Sequence, residues 1–517
     1  MTRSDVPGAF TPPSMAGRAM RALEHRLDGV FGEEHNPLRQ LGAIGFYLFW
    51  IIAASGLYLY AFFETSVGTA YPSVESLTHG YAGGLMRSVH RYASDAFLVV
   101  MVLHLARELT YGRFRGFRWF SWLTGIPLIV LAFVAGAGGY ALVWDTRAQF
   151  TLTATAEWLG WLPGFGDAIV RNFVVDENFS DRFFSLIVFL HIAVPLLLLA
   201  GLWVHIQRIA RPATQPTRTV TVWVLILLIA CSAWMPARSS PPADVHTLAG
   251  AIPFDWFYLA PFPFMYLTSP RDLWIATAGI LIVLAVLPWT ARTSRAPIAV
   301  VDPVNCNGCA RCFADCPYGA VIMAPHSFRP NRQQAVVIPD LCAGCGICTG
   351  ACPSSTPFRS IADLVTGIDM PQAPIGALRA RLSAALKDLT GATRLIVFGC
   401  ECGARSALHA SPSVAVLPLL CAGQLPPAFI EYALRHGADG VLIAACPAGD
   451  CEFRLGTRWT AERIAGLREP RLRADAARER VRLIEAATGQ EAALGRAVRQ
   501  FMDHLHALGR APEPRHA

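Results

Sequence analysis

Four histidines constrain this chain more than any other feature. His90 and His104 are 14 positions apart, and His191 and His205 repeat that spacing about 100 residues later. Both pairs lie inside long apolar runs. On an α-helix, 14 residues rise roughly 21 Å and fall about 40° short of four full turns. Each pair therefore points one way from one helix, near opposite faces of a hydrocarbon layer. Two such helices face to face hold four imidazoles at two levels, an arrangement that clamps two flat cofactors one above the other. Imidazole is a favoured axial ligand of haem iron, and an ionisable residue inside a membrane span is a functional candidate by default. Four histidines that merely bridge helices by hydrogen bonds would owe the repeated spacing to accident.

Composition agrees with a membrane protein carrying soluble additions: the 517 residues are 53% hydrophobic and only 16% charged, far from the usual soluble balance. The net charge of +7 is no nucleic-acid signature, because the arginines cluster beside apolar spans, where they report topology. Thirteen of the 14 cysteines follow residue 300, mostly at short regular spacings that read as metal clusters rather than disulfides. Thiolates of that kind need a reducing compartment, so the C-terminal half is expected in the cytoplasm.

Residues 1–40 read as a cytoplasmic tail without a cleavable signal peptide. Within it, Ala16 to Phe31 carries apolar residues at helical spacing with Arg18, Arg21 and Arg26 interleaved. That is an amphipathic helix lying on the cytoplasmic membrane surface or an ordinary surface helix. Residues 41–290 form the membrane domain. Six spans are expected, at about 41–63, 85–108, 121–143, 183–206, 219–236 and 272–289. Arginines mark the inner side: Arg3, Arg18, Arg21, Arg26 and Arg39 in the tail, Arg113, Arg115 and Arg118 after span two, and Arg208, Arg211 and Arg218 after span four. The loop after span one has no Lys or Arg. The histidine helices, spans two and four, then both run inward, which pairs His90 with His191 at the outer level and His104 with His205 at the inner. Spans one and three carry Gly42 and Gly56, and Gly125 and Gly139, again 14 apart. A glycine removes the side chain where another body must approach the backbone closely.

On these residues, the segment from about 20 to 290 resembles cytochrome b of the quinol-oxidising bc and bf complexes. Arg87-Ser-Val-His90-Arg matches the family's Arg-x-x-His motif, and Gly139-Tyr-Ala-Leu-Val-Trp144 resembles the end of its third helix. The loop from Ala154 to Val170 resembles the short helices that wall its outer quinol site. The resemblance implies two b-type haems on the four histidines, packed against the four glycines. Arg87 and Arg107 are candidates to face haem propionates, Arg107 alternatively being an ordinary positive-inside anchor. It also implies quinone as substrate and a homodimer. Pro253-Phe-Asp255-Trp-Phe-Tyr258 stands where the family has Pro-Glu-Trp-Tyr, with one residue inserted and Asp for Glu. Asp255 is the candidate proton acceptor at the quinone, since a carboxylate in a partly apolar site titrates at raised pH. The alternative is that it caps a short loop helix. His79 and His246 lie in outer loops and read as surface residues. Without Cys-x-x-Cys-His, covalent haem is not expected.

After a polar linker at 290–300 comes Cys306-x-x-Cys309-x-x-Cys312-x-x-x-Cys316-Pro, repeated as Cys342-x-x-Cys345-x-x-Cys348-x-x-x-Cys352-Pro. This is the bacterial ferredoxin pattern, in which three close thiolates take three corners of a cubane and the fourth Cys reaches the other cluster. It implies a small α+β domain over 298–358 with two [4Fe–4S] clusters. One takes Cys306, Cys309, Cys312 and Cys352; the other takes Cys342, Cys345, Cys348 and Cys316. Beyond a helical link at about 373–389 the period changes. Leu395 to Cys400, Val414 to Leu419 and Gly440 to Cys446 read as buried strands, with a helix from Pro427 to His436 between. That alternation predicts an α/β domain with a parallel sheet. Cys400, Cys402, Cys421, Cys446 and Cys451 fall at strand ends, which converge in such sheets, and so predict a further cluster.

Residues 393–512 resemble the iron–sulfur delta subunit of methyl-viologen-reducing hydrogenases, through Gly437-Ala-Asp-Gly-Val-Leu, Cys446-Pro-Ala-Gly-Asp-Cys451 and Arg478 to Ala486. The resemblance implies a [2Fe–2S] cluster and electron traffic with dehydrogenase and flavin subunits. It departs at Cys400-Glu-Cys402, where the family shows Cys-x-x-Cys, and at Pro447, where it has His. Which four of the five thiols bind stays open. The arginine-rich stretch 458–482 reads as a solvated helix face or a docking surface.

No catalytic triad, phosphate-binding loop or Rossmann fingerprint is evident, so substrate chemistry is expected on another protein. The chain is expected in the bacterial inner membrane as a multi-pass protein with both ends cytoplasmic. It would carry electrons between a soluble cytoplasmic flavin dehydrogenase and the quinone pool. Two alternatives stand beside this: quinol oxidation running inward to a cytoplasmic acceptor, and an electron relay without a working quinone site.

Overall fold

The computed structural model describes residues 14–164, 181–244, 252, 255, 257–290, 297–404, 409–473 and 478–510. Arg3, residues 165–170 of the loop beginning at Ala154, His246, Pro253, Phe254, Trp256 and linker residues 291–296 lie outside them. The chain divides into two units, one of Ser14–Gln207 with Pro212–Arg292, the other of Arg208–Arg211 with the described residues from 297 on.

The first unit is helical. Helix α1 (Met15–Phe31) starts at Ser14, whose hydroxyl accepts from the Gly17 amide at 3.0 Å and so satisfies one of the orphan donors of the first turn. It is followed by α2 (Leu41–Tyr60), α3 (Ala70–His79), α4 (Tyr81–Thr110), α5 (Trp119–Val143), α6 (Thr146–Gly160), α7 (Asp181–Ile206), α8 (Arg218–Trp234), α9 (Pro261–Leu267) and α10 (Pro270–Thr290). Among the described residues five helices are long and apolar enough to cross a membrane: α2, α4, α5, α7 and α10. The sixth expected span, 219–236, is the shorter apolar helix α8 of 17 residues; it rises about 26 Å, at the short end of what can span.

Helix α2 runs along α4, α5 along α7, and α8 along α4. Leu48, Phe97, Leu98, Leu128, Ala132, Leu198 and Leu202 fill the space between them. On the outside, Trp203, Trp223, Leu227 and Ile280 are exposed, a surface that hydrocarbon accepts and water penalises. Helix α1 is fastened to the end of α4 by a buried cluster. Glu24, 0% exposed, accepts from Arg107 Nε at 2.6 Å and from the Tyr111 hydroxyl at 2.6 Å. Arg39 holds Asp28 with Nε at 3.0 Å and Nη2 at 2.8 Å.

The second unit begins with β1 (Val300–Val301), α11 (Arg311–Asp315), β2 (Val321–Pro325), β3 (Gln333–Val337), α12 (Ile347–Ala351) and β4 (Ile368–Asp369). Strands β1 and β4 pair antiparallel, as do β2 and β3. Then come α13 (Ile375–Asp388), β5 (Leu395–Cys400), β6 (Val414–Leu419), α14 (Pro427–Arg435), β7 (Gly440–Ala445), α15 (Gly456–Ile464), β8 (Val481–Glu485) and α16 (Glu491–Leu508). The last four strands form one parallel sheet in the order β6-β5-β7-β8. Strands β5 and β7 are buried at every residue, which is why they read as unbroken apolar runs. Leu378, Phe429 and Ile430 cover one sheet face, and Leu494, Phe501 and Leu505 the other.

Strand β8 and helices α15 and α16 are additions to the sequence reading. The arginines of 458–482 hid two of them. Arg458, Arg471 and Arg473 are solvated as expected, but the expectation is corrected at Arg463 and Arg480, which are 1% and 5% exposed. Arg463 donates to Asp315 Oδ2 at 2.6 Å and Arg480 to the Asp439 carbonyl at 3.0 Å. These are interior arginines whose partners are distant in sequence.

Candidate functional site

The imidazoles of His90 and His191 stand with ring centres 6.3 Å apart and planes at 69°. Two imidazoles sharing one metal through nitrogen bonds of about 2 Å, with about 1.1 Å from nitrogen to ring centre, would stand about 6.3 Å apart. The spacing fits a shared iron. At the other level His104 is an electrostatic neighbour of His205. Three of the four Nδ1 atoms meet neighbours. That of His90 meets the Ile52 carbonyl and Ser55 Oγ, both at 3.1 Å. That of His191 meets the Ala135 carbonyl at 3.0 Å, and that of His205 meets Thr124 Oγ1 at 3.1 Å. A carbonyl only accepts, so Nδ1 of His90 and His191 carries the proton and Nε2 keeps its lone pair for a ligand bond, the usual way an outer partner sets the tautomer.

The four glycines face these rings. A Cβ at Gly56 would lie 2.9 Å from His90 Cε1, at Gly139 3.0 Å from His191 Cε1, at Gly125 3.2 Å from His205 Cε1 and at Gly42 3.7 Å from His104 Cε1. Their common spacing thus answers to the imidazoles of the neighbouring helix. Arg87 donates to Glu75 Oε1 at 3.3 Å, to Ser239 Oγ at 2.8 Å and to Thr78 Oγ1. It is therefore engaged by protein groups, and a cofactor carboxylate would have to compete with them. Arg107, expected to face a propionate, is instead bound to the buried Glu24. His79 is exposed at the end of α3.

Asp255 sits in a buried polar cluster with Arg91, Asp95, Tyr140 and Tyr258. The expectation of a raised pKa is corrected. Burial raises it, but hydrogen bonds from Tyr140 and the Tyr258 amide, with the Arg91 guanidinium, hold it below the ordinary carboxylate range. Asp255 Oδ1 accepts from the amides of Phe257 at 2.9 Å and Tyr258 at 2.7 Å, closing a local turn ahead of α9, which begins only at Pro261. Gly136 makes room for the Tyr258 ring, which a Cβ there would meet at 1.9 Å.

In the second unit two small pockets form among the cysteines. One is lined by Cys306, Cys309, Cys312 and Cys352, the other by Cys316, Cys342, Cys345 and Cys348. These are the two interleaved sets of the ferredoxin pattern. Burial and the neighbouring cysteines push the Cys312 thiol up to about 12, and burial raises Cys345 and Cys348 as well. Four thiolates coexist there only beside a compensating positive charge, which an iron–sulfur core provides. Among the described residues no three His, Cys, Asp or Glu side chains gather on one ion position; a cubane spreads its ligands over separate irons.

The five remaining cysteines do converge. Cys400 Sγ lies 3.9 Å from Cys446 Sγ. Cys402 and Cys421 are also neighbours acting on the Cys400 thiol, and Cys421 and Cys446 on that of Cys451. Cys400, Cys421, Cys446 and Cys451 are 1–4% exposed, while Cys402 is half-buried. Burial raises the Cys402 thiol. Gly456 is required here, because a Cβ would lie 2.0 Å from Cys421 Sγ. The loop after Cys421 packs on α12, where a Cβ on Gly423 would lie 2.9 Å from Ile347 Cγ1. The five-thiol site and the Cys348-bearing helix are therefore neighbours.

The sequence reading missed Ser55 and Thr124, Gly456, the Arg91–Asp95 pair, and Asp315 with Arg463. Only Asp95 carried an independent signal, as an acidic residue inside an apolar span.

Paired histidines at two depths of a helical membrane unit, with two four-thiol pockets and a five-cysteine site, define a membrane electron carrier with several redox centres. Comparisons with known proteins agree. The cytochrome b/b6/petB family matches residues 33–212, a 4Fe–4S dicluster domain matches 305–356, and the delta subunit of methyl-viologen-reducing hydrogenase matches 391–509. Cytochrome b6 of Porphyra purpurea is 31% identical over 176 residues, covering 33% of this chain and 80% of that protein. Cytochrome b of Rhodospirillum rubrum is 26% identical over 341 residues, covering 57% of this chain and 82% of that protein. A solved chain titled "Hyperthermophilic respiratory Complex III" shares 19% identity over 48% of this chain and 74% of its own, with a TM-score of 0.40. The chain belongs to the cytochrome b family, extended by a 4Fe–4S dicluster domain and a hydrogenase delta-subunit domain. It is an integral membrane electron-transfer protein.

Proposed function

We propose that this chain is the membrane subunit of a quinone oxidoreductase, linking a soluble cytoplasmic flavin dehydrogenase to the quinone pool of a bacterial inner membrane. His90 and His191 hold one b haem, and His104 and His205 the other. Cys306, Cys309, Cys312 and Cys352 hold one [4Fe–4S] cluster; Cys342, Cys345, Cys348 and Cys316 hold the second. Four of Cys400, Cys402, Cys421, Cys446 and Cys451 hold a [2Fe–2S] cluster. When bound, these groups supply a series of one-electron carriers. The chain's own residues fix the tautomers of His90 and His191 through the Ile52 and Ala135 carbonyls, leave room for the rings at the four glycines, and keep water from the buried thiols.

One observation carries this reading: a single polypeptide joins a two-level histidine array to three clustered thiol sites. The delta-subunit domain supports a soluble redox enzyme as partner, and the cytochrome b region supports quinone at the membrane end. The test uses full-length protein in detergent, reduced by a stoichiometric amount of reduced methyl viologen and then mixed with decylubiquinone. The b-type absorption bands are expected to bleach as quinol forms, and a flavoprotein is expected to co-purify from the membrane. Bands that reduce but never respond to decylubiquinone would leave an electron relay and overturn the quinone assignment.

The glycine contacts give a graded prediction. Gly56→Ala presses on a His90 ring already tied at Nδ1, and overpacking of this kind costs about 1–3 kcal/mol. Haem affinity at that level should fall about tenfold or more, read by haemochrome titration of purified protein. Gly42→Ala, which meets His104 at an ordinary 3.7 Å, should stay near wild type.

A further inference from the structure

Asp255 is fully occupied as an anion. Its Oδ1 takes the amides of Phe257 and Tyr258, and its Oδ2 takes Arg91 Nη2 at 2.6 Å and the Tyr140 hydroxyl. Protonation would forfeit these bonds, so such a carboxylate is a poor base. Asp95 is placed differently. It lies one helical turn after Arg91 on α4 and is 8% exposed. Its Oδ1 is 3.2 Å from Arg91 Nη1, yet among the described residues it receives no directed hydrogen bond. One guanidinium therefore serves two carboxylates, Nη2 on Asp255 and Nη1 on Asp95. Arg147 is the other cation acting on Asp95, set 5.7 Å from the centre of the Tyr140 ring. Among the described residues the other titratable groups there are the hydroxyls of Tyr92, Tyr140 and Tyr258, Tyr92 donating to the Met235 carbonyl and Tyr258 to the Ser94 carbonyl at 3.0 Å. A buried acid with an unfilled oxygen inside a membrane helix is costly to keep, and such residues mark proton paths.

We propose that Asp95 holds the proton exchanged with quinone and that Arg91 links it to Asp255; this rests on the quinone reading above. Reducing a quinone to a quinol takes two electrons, delivered through the chain, and two protons. Asp95 as the acid gives one: its O–H bond breaks as a quinol O–H forms, and the carboxylate left behind faces Arg91. The second proton comes from water, which then also reprotonates Asp95. Quinol oxidation makes and breaks the same bonds in reverse.

Full-length Asp95→Asn and Asp95→Glu proteins, reduced stoichiometrically and mixed with decylubiquinone across a pH series, provide the test. Asp95→Asn should keep both b-type bands, react about 10²-fold more slowly and lose one ionisation from its pH profile. Asp95→Glu should recover most of the rate with a displaced profile. If Asp95→Asn loses its haem bands, the Asp95→Glu profile decides alone, and an undisplaced profile overturns the assignment. A wild-type rate and profile in Asp95→Asn overturn the role of Asp95 while leaving the quinone reading standing. Wild-type protein inert to decylubiquinone overturns both.

Discussion

His90→Ala is expected to remove one of the two b-type haems and leave the other in place. His90 and His191 are the two imidazoles whose 6.3 Å separation fits a shared iron, and their protonated Nδ1 atoms are fixed by backbone carbonyls. Losing a partner behind a ligand already costs 10–100-fold in metal affinity, so losing the ligand itself should empty the level. Haem per protein, measured as pyridine haemochrome, should fall to half. The double variant His90→Ala/His191→Ala should match either single one, because both remove the same haem. His90→Ala/His104→Ala should lose both haems. If instead His90→Ala/His191→Ala lost both and His90→Ala/His104→Ala only one, the ligands would pair along the helices rather than across them, and the two-level reading would fail.

Arg463→Met should destabilise the second unit by about 3 kcal/mol, near the lower end for breaking a buried ion pair. Arg463 is 1% exposed, donates to Asp315 Oδ2 at 2.6 Å and to the Gly423 carbonyl at 2.8 Å, and bridges the ferredoxin segment to the C-terminal domain. The loss is moderated because Arg468 still reaches Asp315 Oδ1 at 2.6 Å. On heating full-length protein, iron–sulfur absorbance should bleach roughly 10 °C earlier than in wild type. Asp315→Leu/Arg463→Met should lie closer to wild type than Arg463→Met, since an apolar pair leaves no uncompensated charge. A single variant that melts with wild type would show that the pair does not hold the two segments together.

Much of the architecture was legible in the chain. The 14-residue histidine and glycine spacings are helix geometry, which depends on neighbours a few turns away. The cysteine spacings encode loops that must wrap a cubane. The runs at 395–400 and 440–445 announce a buried parallel sheet, because a strand covered on both faces has no polar side. Strand β8 escaped notice because Arg482 interrupts its apolar pattern, and α15 because its arginines look solvated. Helix α8 sits at the boundary of spanning length, where composition alone decides poorly.

The histidines, glycines and cysteines were picked out by sequence alone, because helix and ferredoxin spacings are local and the ends of parallel strands converge. The ionisable residues were decided only by the tertiary structure. Asp255 is a satisfied anion because Arg91 and Tyr140, 164 and 115 positions away, reach it. Arg107 is consumed by Glu24 across 83 positions, and Arg463 by Asp315 across 148. No periodicity links such partners. A charge buried in a medium of low polarity takes its role from whatever opposite charge the fold brings within a few ångströms, and that is settled when the helices and sheet close.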